Sequence, residues 1–88
     1  MKILLVGAGG VGGAITGIAA RRRFFDAMVV ADYDEGRAQR AAERTSDPRF
    51  SAIRIDASDE VAVASALREH GCDVLLNATR SEERRVGK

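Results

Sequence analysis

Five glycines fall within seven positions, from Gly7 to Gly13, in the stretch LLVGAGGVGGAI at residues 4–15. Glycine loses more conformational freedom on folding than any other residue, so a cluster of this density marks a turn that needs its backbone freedom or its missing side chain. The cluster follows the apolar run Lys2 to Val6, which reads as a buried strand ended by glycine. After it, Val11, Ala14, Ile15, Ile18 and Ala19 recur at helical spacing. That pattern predicts a helix over roughly Val11 to Arg22 with one apolar face, and its small residues Ala14 and Gly17 would let it lie close to a sheet. A strand, a tight glycine turn and a helix are thus specified within the first quarter of the chain.

The rest of the sequence repeats the alternation. Ala27 to Ala31 reads as a second strand. Asp34 is a candidate N-cap for a helix over about Glu35 to Thr45, with Ala38, Ala41, Ala42 and Thr45 on one face. The SDPR stretch at 46–49 ends it, because proline cannot continue a helix and restricts the residue before it. Ser51 to Ile55 is a third strand. Ser58 or Asp59 caps a third helix running to about His70, with Val63, Ala64 and Leu67 inward and Gly71 as its stop. Asp73 to Asn77 is a fourth strand. The order β-α-β-α-β-α-β, with continuous apolar strands, predicts an α/β fold whose parallel sheet is covered on both faces. Right-handed crossovers then give the strand order 3-2-1-4, a Rossmann-like half-sheet.

Length and composition bound the alternatives. At 88 residues the chain holds one small domain. Its 45% hydrophobic and 31% charged residues fit a globular domain. Its apolar runs are too short to span a bilayer, and the start shows no signal-peptide pattern, so no membrane partner and a cytoplasmic location are expected. A lone Cys72 agrees with a reducing compartment. A net charge of +1 gives no case for a nucleic acid partner.

Gly7, Gly9 and Gly12 spell G-x-G-x-x-G between a strand and a helix, and each glycine has a task in dinucleotide binding. Gly7 permits the turn, Gly9 lets backbone approach a pyrophosphate, and Gly12 lets the helix pack against the strand. The N–H groups and positive dipole end at the helix start would meet the phosphates, so Ala8, Gly10 and Val11 join the candidate cofactor-binding set. Asp32 ends the second strand 20 residues after Gly12. There a carboxylate accepts hydrogen bonds from the adenosine ribose and repels a 2′-phosphate, which favours NAD over NADP. A second spacing, Gly7, Gly10 and Gly13, matches the glycine pattern of extended short-chain dehydrogenases and puts a phosphate at the same helix end. Arg37 could reach a 2′-phosphate or be an exposed helix residue. Tyr33 could cover the adenine edge or pack on the surface. Asp56 and Ala57 follow the third strand, where loops flank an adenine; the alternative for Asp56 is a turn or cap residue. Asn77, Ala78 and Thr79 follow the fourth strand, across from the glycine loop, where a nicotinamide ribose would pass; the alternative for Asn77 is a loop-ordering amide.

No catalytic group is expected at that edge, and no metal site. His70 ends the third helix, Lys2 starts the first strand and Cys72 precedes the fourth, all at the opposite edge. Arg21, Arg22 and Arg23 are expected at the end of the first helix, where cations complement the dipole. The chain therefore reads as a cofactor-holding piece of a longer enzyme, or as a domain that works through a partner.

The motifs VGAGGVG at 6–12, ADYD at 31–34, DASD at 56–59 and DVLLNAT at 73–79 together resemble the N-terminal cofactor domain of the saccharopine dehydrogenase-like family, over Met1 to Thr79. The resemblance implies NAD(P)-dependent oxidation or reduction at the amine carbon of an amino acid, with substrate and catalytic residues in a later domain not present here. The family is described as NADP-binding, whereas Asp32 points to NAD. The final nine residues, RSEERRVGK, depart from the family pattern, carry a net charge of +2 and are expected to be a disordered tail over 80–88. An NAD(H)-sensing regulatory module without catalysis is the alternative reading. An exposed fourth-strand edge leaves a homo-oligomer possible.

Overall fold

A computed structural model of the protein describes residues 1–78. Thr79 and the expected tail over 80–88 lie outside the described residues. The elements are β1 (Lys2–Val6), α1 (Gly10–Ala19), β2 (Ala27–Asp32), α2 (Glu35–Arg44), β3 (Phe50–Arg54), α3 (Glu60–Glu69) and β4 (Val74–Asn77). The four strands form one sheet in the order β3-β2-β1-β4, and every pairing is parallel. Both the order and the alternation are those the sequence predicts.

Side chains alternate across the sheet, as the pleat requires. Ile3, Leu5, Met28 and Val30 point to one face and pack with Ala19, Phe25, Ala38, Ala41, Ala42 and Phe50. Leu4, Val6, Val29 and Ala31 point to the other and pack with Ile55 and Ala66, flanked by Val63 and Leu67. So α1 and α2 cover one face and α3 the other. Because β1 and β2 are buried on both sides, they read as unbroken apolar runs.

Helix ends are set by local chemistry. Asp34 caps α2, its carboxylate accepting from Arg37 N. Of the two candidates for α3, the cap is Asp59, which accepts from Ala62 N at 3.0 Å. Gly71, at φ +64°, stops α3: Cys72 N donates to Leu67 O and Gly71 N to Arg68 O, a Schellman closure.

The first helix corrects two expectations. It ends at Ala19, so Arg21, Arg22 and Arg23 stand beyond it and not in its last turn. The carbonyls just beyond its end are met by Arg49, which donates to Arg22 O at 2.8 Å and Ala20 O at 3.3 Å while pairing with Asp47 at 2.7 Å. The same guanidinium lies 4.2 Å from the centre of the Phe25 ring. The inward face also differs. Ala14, Gly17 and Ile18 are exposed, while Gly12, Thr16 and Ala19 are buried. Close approach at Gly12 sets the helix rotation, and Thr16 tolerates burial because its hydroxyl donates to Gly13 O at 2.8 Å. In α3, Ala66 is the buried residue and Ala64 only half-buried.

Candidate functional site

The site is the carboxyl edge of the sheet, where β1 gives way to α1. Gly7 turns the chain off the strand at φ +102°, a conformation that L side chains rarely adopt. Its N–H donates to Ala31 O at 2.7 Å, holding the turn to β2. The helix start then folds back on this turn so closely that a Cβ on Gly12 would stand 1.7 Å from Gly7 O and 2.7 Å from Gly7 C. Gly7 and Gly12 are thus required by the fold itself. Gly9 is not. Its backbone is extended, at φ −74°, and an added Cβ would meet nothing nearer than Arg37 Nη1 at 3.5 Å. The missing side chain at Gly9 leaves backbone open at the mouth of the loop, where a ligand would approach. Gly13 faces only ordinary contacts, at 3.7 Å and beyond, so the close approach requires Gly12 and not Gly13.

Behind the loop lies Asp32, only 8% exposed. Its Oδ2 accepts from Ala8 N and its Oδ1 from Asp34 N, both at 2.8 Å. One carboxylate thus ties the glycine loop to the β2 end and shapes the entry into α2. Each oxygen keeps a further lone pair for a ribose hydroxyl. The amide of Ala8 is committed to this tie, so the donors left at the helix start are those of the Gly9 cap and the first turn.

The remaining candidates line the same edge. Tyr33 is 63% exposed, and Arg54 stacks over its ring with Cζ 4.7 Å from the centre while its Nε donates to Tyr33 O at 3.2 Å. Arg54 was not among the sequence candidates, yet it is the β3 residue in register with Asp32. Asp56 is a turn residue: it accepts from Ser58 N at 3.0 Å and Ser58 Oγ at 2.7 Å, and these bonds hold its carboxyl below the usual range. Ala57 is half-buried against the α3 face. Asn77 ends β4 in register with Val6, and Ala78 N donates to Val6 O at 2.7 Å. That bond brings Ala78 to within 3.7 Å of the Cβ position at Gly12, so the loops after β1 and β4 meet at the point where strand order reverses.

The opposite edge holds Lys2, His70 and Cys72, as the topology dictates. Burial pushes the Cys72 thiol up, and Asp73 adds to the shift against the opposing pull of Lys2. A concavity of about 520 Å³ lies at this edge among Ala20, Arg21, Arg22, Arg23, Asp47 and Arg49. Its acid is consumed by Arg49. Among the described residues no cluster of His, Cys, Asp or Glu could hold a metal ion, and no helix is long and apolar enough to cross a membrane.

Comparison with known proteins agrees with this geometry. Among solved structures, the chain is similar to quinate dehydrogenase from Corynebacterium glutamicum in complex with NAD, at 30% identity and a TM-score of 0.60. The match covers 89% of this chain and 26% of that one, so the chain spans about a quarter of the length of the enzyme it resembles. Neither this match nor the family match is to a regulatory module. The family model of the saccharopine dehydrogenase NADP binding domain matches residues 3–83, nearly the whole chain, and the chain belongs to that family.

Proposed function

We propose that the chain is the dinucleotide-binding part of an NAD(P)-dependent oxidoreductase acting at the amine carbon of an amino-acid-like substrate, which a further domain binds. The observation that carries the cofactor reading is the glycine turn. Gly7 and Gly12 are fixed by the fold, while Gly9 is bare for no internal reason and lies at the amino end of α1. That arrangement presents first-turn N–H groups and the positive end of the helix to a pyrophosphate. In this reading Gly9, Gly10, Val11 and Gly12 face the pyrophosphate, and Asp32 takes the adenosine ribose through its remaining lone pairs, which favours NAD. Tyr33 and Ala57 flank the adenine, and Asn77, Ala78 and Thr79 pass the nicotinamide ribose.

Hydride transfer needs a substrate held against the nicotinamide and a group to manage the proton. Asp32, Asp34, Asp56 and Asp59 at this edge are tied to backbone or to Ser58, which supports placing both tasks in a further domain. Leu75 and Leu76 on β4 are 42% and 37% exposed, and further chain or a second copy would cover them. Titrating the protein with NADH, followed by cofactor fluorescence and calorimetry, tests the cofactor reading. Saturable binding is expected, and none at millimolar cofactor overturns it. In the longer protein, turnover with an amino acid and NAD(P) supports the substrate class, whereas turnover with hydroxy acids alone refutes it.

A further inference from the structure

The loop after α1 carries Arg21, Arg22 and Arg23 in succession, all exposed, at the sheet edge opposite the glycine turn. Together with Ala20, Asp47 and Arg49 they line the concavity of about 520 Å³. Among the described residues no carboxylate pairs with any of the three. The acids at hand are taken: Asp47 pairs with Arg49, and Asp26 pairs with the Met1 amino group. Arg49 is spent as well. Its Nε and Nη2 bond to Asp47, Nη2 also donates to Ala20 O, and Nη1 donates to Arg22 O at 2.8 Å and Phe25 O at 3.5 Å. One guanidinium thus pins three carbonyls of the loop, so Arg21, Arg22 and Arg23 stand on a fixed backbone. Three like charges held around one hollow repel each other and gain nothing from the protein about them.

We propose that this concavity is a second anion site, separate from the glycine turn, and that it takes a compact soluble polyanion built of linked phosphate groups. Each guanidinium presents paired N–H donors that match phosphate oxygens. A single phosphate satisfies one such group, whereas a run of phosphates brings several charges within reach of all three arginines. The volume falls in the range of small-molecule sites, about 300–1,000 Å³. Exposed Phe24 follows the arginines, a pairing that an anionic lipid surface also uses. The arginines line a hollow, however, which a flat bilayer does not fill and a small ligand does. The site stands on its own residues and does not rest on the dinucleotide reading.

The test is to titrate the protein with inorganic tripolyphosphate by calorimetry at low salt, with and without NADH, and to repeat it with Arg22→Ala/Arg23→Ala and with Arg40→Ala/Arg68→Ala. The second variant removes the same charge from exposed positions on α2 and α3. Arg49 holds the loop through backbone carbonyls, so the first variant keeps the fold, and a circular dichroism melt of each confirms it. Saturable binding of one tripolyphosphate per chain is expected, the same in the presence of NADH. Arg22→Ala/Arg23→Ala is expected to weaken it roughly tenfold or more, the scale of one lost charge-assisted pair, with Arg40→Ala/Arg68→Ala unchanged. No binding by wild type, or unchanged affinity in Arg22→Ala/Arg23→Ala, overturns the proposal. Equal weakening in both variants overturns it by showing diffuse charge attraction. Loss of tripolyphosphate binding on adding NADH overturns it by placing the anion at the glycine turn. Sedimentation with phosphatidylserine vesicles without tripolyphosphate binding overturns it in favour of a lipid surface.

Discussion

Replacing Gly12 with alanine puts one methyl group against main chain that has nowhere to go. The new Cβ would stand 1.7 Å from Gly7 O. A carbon–oxygen contact needs about 3.3 Å, so the helix start must retreat by the difference, about 1.6 Å. The obstructing atoms are backbone, and Gly7 N is bonded to Ala31 O in the buried centre of the sheet. Overpacking costs about 1–3 kcal/mol where side chains can yield, and more where they cannot. We therefore expect Gly12→Ala to lose about 3 kcal/mol or more, from a total of roughly 4–13 kcal/mol for a chain of this size. In a domain this small that lowers Tm by about 12–24 °C. Gly13→Ala is the matched control. Its Cβ would meet only ordinary contacts, so helix propensity alone predicts a gain of up to ~1 kcal/mol. Urea unfolding and thermal melts of wild type, Gly12→Ala and Gly13→Ala, followed by circular dichroism, give the comparison. A Gly12→Ala variant within ~2 °C of wild type, or equal losses in both variants, refutes the reasoning.

Two other expectations follow from the polar ties. Asp32→Asn keeps the shape of the side chain but turns an amide N–H₂ toward either Ala8 N or Asp34 N. Leaving a buried donor unpaired costs about 1–3 kcal/mol, read as a lower urea midpoint, and the variant also binds NADH more weakly. Asp47→Asn tests the Arg49 hub. The Arg49 guanidinium and N–H hold the Asp47 carboxyl below its ordinary value. A carboxyl lowered in the folded state adds stability above the unfolded value near pH 4 and loses it as pH falls further. Wild type should thus melt higher than Asp47→Asn at pH 7, with the gap closing below about pH 4. A gap that does not narrow as pH falls below about 4 contradicts the assignment.

The strand order was legible because it follows from apolar runs alternating with helices, a signal that survives small errors in boundaries. Strand β3 is shifted by one residue from its predicted range, yet Phe50 and Ile55 are both buried and the topology is unaffected. The facing of α1 was not legible. Hydrophobicity points Ile18 inward, but the helix rotates to bring Gly12 against Gly7, and Ile18 ends up 55% exposed. Arg49's pairing with Asp47 is local, but its role could not be found from local sequence, because the carbonyls it meets lie more than 20 residues away just past the end of α1. At the site, the interval from Gly12 marked Asp32, whereas the occupation of both its oxygens by backbone N–H groups depends on a turn only the fold reveals.

The two hydrogen bonds that Asp32 accepts from Ala8 N and Asp34 N limit how this domain can diverge. In a domain whose acid touches only ribose, exchanging that acid is the direct route from one cofactor to the other. Here the same exchange unfastens the glycine loop and the entry to α2, so a mutation that alters preference also erodes the fold. Selection for a different cofactor would act first on Tyr33, Arg37 and Arg54, which are exposed around the carboxyl end of β2 and hold up little else. Lineages of this domain should keep the acid at this position across a change of cofactor, with the substitutions recorded at those three neighbours.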